Sequence, residues 1–381
     1  MNRIRAVIVL AAFAVFALIS ILSARVGQTA SLQCGNGGCP TPSPSTSPTP
    51  NPSPSPTTSP SPSPSPTPFT GQHLLINAQA GGFDYSYSPS MIEYNGVIYN
   101  YFCSCGCIDG TPTGAWDFTR LSTSADNGNT WTPAQIVLES KPTGDYNFSA
   151  CNPSVVQYTV GDNMWYMFYS SAYEWSPGKY QTVIQVARAS SPYGPFLNYT
   201  GTINGVNQWE GLPAVPAIIM YPTTLPPVGA YGAGNQTVIQ AFGEFWMWWF
   251  DNSSGANVTY LARSTDAIHW TTPVACTPGV VGSVKQNIAT GNFVTVNITP
   301  NLAPGSALTV SYSTDGVNWL GTETLATLSN YSGGPPGILS DQKGHLLSQL
   351  ALIGYSDPYG LADQLDWGQW NLYGQWLTLP Y

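Results

Sequence analysis

Charge is what this 381-residue chain has least of. Only 8% of its residues are charged, and ten Lys and Arg against nineteen Asp and Glu leave a formal net charge of −9. A surface so poor in cations excludes an extended nucleic-acid or anionic-membrane interface. Histidine is as scarce: His73, His269 and His345 have no spacing that suits a metal site or a catalytic triad. No Gly-rich nucleotide fingerprint, P-loop or Gly-x-Ser-x-Gly elbow occurs, so nothing asks for a nucleotide or another cofactor, and no metal site is expected. Long helical periodicity is missing after Thr70, which removes helical bundles and α/β folds from consideration.

What is present is aromatic and turn-rich. Phe, Trp and Tyr make up 13% of residues, and 38 Gly with 34 Pro supply the tight turns that many short strands require. A Ser-x-Asp-(x)-Gly-x-x-Trp pattern recurs at Ser124, Asp126, Gly128, Trp131 and again at Ser313, Asp315, Gly316, Trp319. A third copy at Ser264, Asp266 and Trp270 carries Ala267 in the glycine position. Each follows a short apolar run, where a chain leaving a strand must reverse. The Asp side chain can accept from N–H groups just ahead of it, Gly tolerates positive φ, and Trp covers the corner. These aspartates are expected to be peripheral scaffold.

A longer repeat encloses the turns. Ser88-Pro89-Ser90-Met91-Ile92, Asn152-Pro153-Ser154-Val155-Val156 and Asn235-Gln236-Thr237-Val238-Ile239 match one another, with weaker copies near Gln286 and Pro336. Each leads into a second and a third apolar run. Five units of three or four strands predict an all-β, five-bladed β-propeller over residues 69–381.

The N-terminus is organised differently. Arg3 and Arg5 precede an apolar stretch from Ala6 to Leu22, with Ser23, Ala24 and Ala30 as small residues for cleavage. Residues 1–30 therefore read as a signal peptide or an N-terminal membrane anchor, the one feature able to attach the chain to a membrane. Residues 31–68 are rich in Pro, Ser and Thr and form a stalk of extended polyproline II character. The expected location is secreted or cell-surface. Seven cysteines in that setting point to disulfides. Cys34 and Cys39 could close a ring at the foot of the stalk. Cys103, Cys105 and Cys107 could gather a soft metal, but they lack the Cys-x2-4-Cys spacing of zinc sites, and Cys151 and Cys276 are available as disulfide partners.

A neutral surface rich in Trp, Tyr, Asn and Gln suits a carbohydrate partner, whose C–H faces stack on rings and whose hydroxyls pair with amides. The strings YSPSMIEYNGVIYNYF, NPSVVQYTVGDNMWYMFYSS, ARASSPYGPF and YGAGNQTVIQAFGEFWMWWFD resemble the blade-opening patterns of the five-bladed propeller glycosidases, with glycoside hydrolase family 43 nearest in character. The resemblance spans most of residues 80–381. It implies an axial pocket in which a base Asp, an orienting Asp and an acid Glu cleave a glycosidic bond. The base position, directly before the Pro of the first inner strand, holds Ser88 here, and its counterpart in the second blade is Asn152. Substitute carboxylates are Asp84, Asp145 and Glu210, the last in a Glu-Gly-x-Pro context that the family uses for its acid and expected at the axial end of the third blade. Ser88, Asn152, Asn235, Gln236 and Trp209 are the candidate sugar-binding residues. Two classes follow: a hydrolase with relocated carboxylates, acting on arabinan-, xylan- or fructan-type polymers, or a non-catalytic glycan-binding or surface-display propeller.

Overall fold

The computed structural model describes residues 67–380 apart from 109–110, 144–146, 230, 278–281, 300–304, 329–332 and 359–369. All of the described residues belong to the unit Ser63–Tyr381. The apolar N-terminal segment, most of the stalk, Cys34, Cys39 and Asp145 lie outside them.

The described residues contain strands and turns and no helix. After β1 (His73–Ile76), the first blade is β2 (Ser86–Tyr94), β3 (Val97–Ile108), β4 (Thr111–Ser124) and β5 (Gln135–Leu138). The second holds β6 (Cys151–Gln157), β7 (Trp165–Ser176), β8 (Lys179–Ala189), β9 (Leu197–Ile203) and β10 (Val206–Glu210), with β11 (Ile218–Met220) pairing to β8. The third is β12 (Ala233–Ala241), β13 (Glu244–Asp251), β14 (Val258–Ser264) and β15 (Val274–Ala275). The fourth is β16 (Ser283–Gln286), β17 (Phe293–Thr299), β18 (Ala307–Ser313) and β19 (Leu320–Thr327). In the fifth, β20 (Gly333–Ile338), β21 (Leu350–Pro358) and β22 (Trp370–Thr378) are completed by β1, which pairs antiparallel with β22. The N-terminal strand thus closes the ring and hides the edge that β22 would expose, a closure that the repeat had not revealed.

The five expected inner strands are β2, β6, β12, β16 and β20. In the first three blades they start within two residues of the repeat, whereas β16 and β20 start three residues before Gln286 and Pro336, and Gln286 is the last residue of β16. A hydroxyl ladder ties them together around the axis. Ser90 Oγ accepts from Val155 N at 3.1 Å, Ser154 Oγ from Val238 N at 2.8 Å, Thr237 Oγ1 from Val284 N at 3.2 Å and Ser283 Oγ from Ile338 N at 3.3 Å. In four of the five inner strands a small hydroxyl residue at this register satisfies the N–H of the next blade; in the fifth the position is Gly337. At the opposite end the segment after β20 crosses the axis: its carbonyls at Ser340, Gln342, Lys343 and Gly344 accept from Glu93, Gln157, Gln240 and Gln286 N. One stretch therefore caps four blades.

Between blades the filling is aromatic and aliphatic, with Trp165, Trp248, Trp249, Tyr101, Tyr169, Phe168, Phe245 and Phe293 fully buried. The Asp-turns stand between the third and fourth strands of their blades. Asp315 Oδ1 accepts from Val317 N and Asn318 N, both at 2.8 Å, and Asp126 Oδ1 from Thr130 N at 2.9 Å. Trp248 of the third blade donates from Nε1 to Gly316 O of the fourth at 2.7 Å, so the turn also locks neighbouring blades. The cysteine run forms disulfides: Cys103 pairs with Cys151, and Cys105 with Cys107, while Cys276 is buried and free.

Candidate functional site

The axial mouth is shaped by a bulge repeated in three blades. Ser88, Asn152 and Asn235 have φ of 53°, 46° and 51°. In each case the ladder skips at that point, between Tyr87 and Ser90, Cys151 and Ser154, and Gly234 and Thr237. A left-handed residue inside a strand turns its side chain out of the alternating pattern, and here all three meet. Ser88 Oγ donates to Asn152 Oδ1 at 2.8 Å, and Asn152 Nδ2 donates to Asn235 Oδ1 at 2.6 Å and to the Tyr231 hydroxyl at 3.2 Å. Gln236 Nε2 donates to Phe168 O at 3.0 Å and also to Asn152 O, while Ser170 Oγ donates to its Oε1 at 3.0 Å. Four of the five expected binding residues are thus in one network. The axial channel beneath it has a volume of about 30 Å³, too small for a sugar.

A larger cavity of about 300 Å³ opens beside the axis, between the first three blades. Tyr87, Trp116, Tyr180 and Tyr231 supply rings, and Ser149, Asn152, Ser170, Gln181 and Thr182 supply neutral polar groups. Asp117 is the carboxylate in its wall. Tyr85 donates to Asp117 Oδ1 at 2.6 Å, Tyr87 to the same oxygen at 3.4 Å, and Ser149 Oγ to Oδ2 at 2.7 Å. Burial outweighs these three donors and holds the Asp117 carboxyl above the usual carboxylate range. Burial, with Asp117 adding to it, also pushes the Tyr85 and Tyr87 phenols well up, so both remain donors.

The Cys103–Cys151 disulfide anchors this wall by joining β3 to the first residue of β6, next to Asn152. Cys151 Sγ lies 2.8 Å from the Tyr87 hydroxyl. Trp116 extends the cavity as a partly exposed ring, stacked on Phe148 at 5.3 Å and edge-on to Tyr180 at 5.0 Å.

Two of the three sequence-derived carboxylates, Glu210 and Asp84, are placed elsewhere. Glu210 is the exposed last residue of β10, at the outer edge of the second blade and paired with Asn198, so it is not at the axial end of the third blade. Trp209 goes with it, packed 5.5 Å from Tyr199 under the Arg188 guanidinium at 4.4 Å. Asp84 does not share a strand face with Ser88, because β2 begins at Ser86 and Asp84 sits exposed in the preceding bend. Asp145 lies outside the described residues. Asp117 escaped the sequence reading because β4 is buried on both faces from Phe118 to Ser122, so no alternation of exposed and buried positions marks its carboxylate.

No protein-family model and no curated protein sequence matches the chain. Solved structures do. A family 117 glycoside hydrolase, Zg3597, from the marine bacterium Zobellia galactanivorans superposes with a TM-score of 0.54 at 16% identity, covering 80% of this chain and 88% of that one. The catalytic domain of a family 62 α-L-arabinofuranosidase from Coprinopsis cinerea gives 0.53 at 12% identity, over 80% and 95%. A family 43 enzyme of Xanthomonas citri gives 0.52 at 13%, over 80% and 90%. The chain has the five-bladed fold of these glycoside hydrolases.

Proposed function

We propose that the protein is an extracytoplasmic carbohydrate-recognising propeller whose sugar site is the cavity between blades one to three. The observation that carries this reading is the wall of that 300 Å³ space, where four aromatic rings stand with neutral hydrogen-bonding groups and, among the described residues, one carboxylate, Asp117. Rings take the C–H faces of a sugar, and Ser, Asn and Gln groups take its hydroxyls. The glycoside hydrolases that share the fold support the same ligand class, including α-L-arabinofuranosidase. The apolar Ala6–Leu22 segment, the Pro/Ser/Thr stalk and two disulfides fit an exported chain displayed at or beyond the cell surface.

Recognition is favoured over hydrolysis because cleavage uses two carboxyl groups roughly 5–10 Å apart, and Asp117 is the one carboxylate lining the cavity among the described residues. A hydrolytic reading rests on one specific observation, the raised Asp117 carboxyl, which suits a general acid. In that reading Asp145 supplies the second carboxylate.

The deciding experiment pairs affinity electrophoresis with a reducing-sugar assay, using the exported protein on arabinan-, xylan- and fructan-type polymers. Retention without sugar release, lost in Trp116→Ala, supports recognition. Release that is abolished by Asp117→Asn and by Asp145→Asn, with retention preserved, replaces it with hydrolysis. Neither retention nor release across the panel would sink both readings.

A further inference from the structure

The ladder places Ile92, Val156, Ile239 and Leu339 at one register, two residues beyond Ser90, Ser154, Thr237 and Gly337. The fourth blade has Lys285 there, two residues beyond Ser283. Four aliphatic side chains and one lysine occupy equivalent buried positions. Lys285 is 4% exposed, and its Nζ makes no hydrogen bond or ion pair among the described residues. A buried ammonium without a partner is costly, so its surroundings must answer for it. The titratable group that acts on it is Asp341, from the segment that caps the axis. Asp341 is already committed: it accepts from Lys343 N and His345 N at 2.8 Å each and lies 3.2 Å from His345 Nδ1.

Lys285 lines the axial channel of about 30 Å³, together with Ser90, Ser154 and Ser283. Each of these three hydroxyls accepts an N–H from the next blade. None of them donates to a protein acceptor among the described residues, so the space, the size of a water or a monatomic ion, is lined by three residues with an unused O–H donor and by one lysine. We propose that the channel binds a small monovalent anion, chloride, held by Lys285 and the hydroxyls of Ser90, Ser154 and Ser283. The anion supplies the acceptor that these donors lack and neutralises the lysine. It thereby joins blades one, two and four at the point where they converge. Burial pulls the Lys285 ammonium down to about 8, against the upward pull of Asp341, so anion binding belongs to the acid side of that value.

The test is thermal unfolding at constant ionic strength while gluconate, too large for the channel, is exchanged for chloride or bromide. Wild type should show a saturable rise in Tm of about 2–4 °C at pH 6 that fades as pH passes about 8. Lys285→Met should be indifferent to the exchange. Crystals grown in bromide should show an anomalous peak in contact with Lys285 Nζ, and this measurement decides alone if Lys285→Met does not fold. Equal Tm in gluconate and chloride, an unchanged halide response in Lys285→Met, or bromide-grown crystals in which the channel holds only water would each overturn the proposal.

Discussion

The Asp-turns and the cavity wall are both made of short polar side chains packed near aromatic rings, yet they work in opposite ways. At Asp315 the partners are Ser313, Val317 and Asn318, all within three residues, and their hydrogen bonds hold the carboxyl well below its usual range. Asp266 and Asp126 repeat the arrangement and are likewise lowered. Asp117 draws its partners from Tyr85 and Ser149, each some thirty residues away, and it is raised. A locally satisfied, solvated carboxylate is scaffold. One assembled from distant parts of the chain at the edge of a cavity is available to a ligand only under the carbohydrate-recognition reading proposed above. The contrast teaches that the most conspicuous motif in a sequence can mark a self-contained turn and not the carboxylate that borders a cavity.

The strongest way to break the contrast is to unfasten the cavity wall. Replacing Cys103 and Cys151 by Ala removes a crosslink spanning 48 residues, which should cost about 2–4 kcal/mol in denaturant unfolding. Glycan retention should fall with it, because the bond anchors the strand that presents Asn152. Unchanged retention in the folded fraction would detach the disulfide from the site.

Asn152→Ala comes next. It strips partners from Ser88, Asn235 and Tyr231 together and should cost about 1–3 kcal/mol, with a loss of glycan affinity of at least tenfold by calorimetry. Full affinity would confine the network to a structural role. Asp315→Ala should cost about 1–2 kcal/mol in the same unfolding assay and leave glycan affinity untouched. A binding defect there would erase the distinction between the two regions.

The smallest effect is the most diagnostic. The turn aspartates titrate below their unfolded values, so their stabilisation is complete above about pH 4 and disappears as pH falls through the folded values. Asp117 titrates above its unfolded value. Its folded form binds the proton more tightly, so stability from this group is full at acid pH and declines as pH rises through the folded value. Asp117→Asn should therefore flatten the decline of Tm between acid and neutral pH, whereas Asp315→Asn should flatten the acid limb. Identical Tm profiles for the two variants would refute the assignment of opposite shifts.

Much of the fold was legible because its signals are local. Ser124-x-Asp126 and Ser313-x-Asp315 announce their own turns, and the Ser90, Ser154 and Thr237 repeats announce inner strands, since each depends on neighbours within a few residues. Gln286 misled because β16 has a short, altered opening, and its register depends on a hydrogen bond to the next blade. The site was half legible. Ser88, Asn152, Asn235 and Gln236 stood out through the repeat and do meet at the axial mouth. Glu210 looked correct by context alone, but the second blade adds β9 and β10 beyond β8, which carries that residue to the rim.

The sequence by itself determined a repeated, all-β unit with peripheral Asp-turns, because strand alternation, turn chemistry and repeat length are properties of short stretches. Only the tertiary structure decided that β1 closes the fifth blade, that Cys151 pairs with Cys103 and not Cys276, and that Asp117 is the carboxylate of the cavity. Those outcomes depend on which residues the ring brings together across distances of tens to hundreds of positions. Burial, the quantity that raises the Asp117 carboxyl, does not exist until that ring is closed.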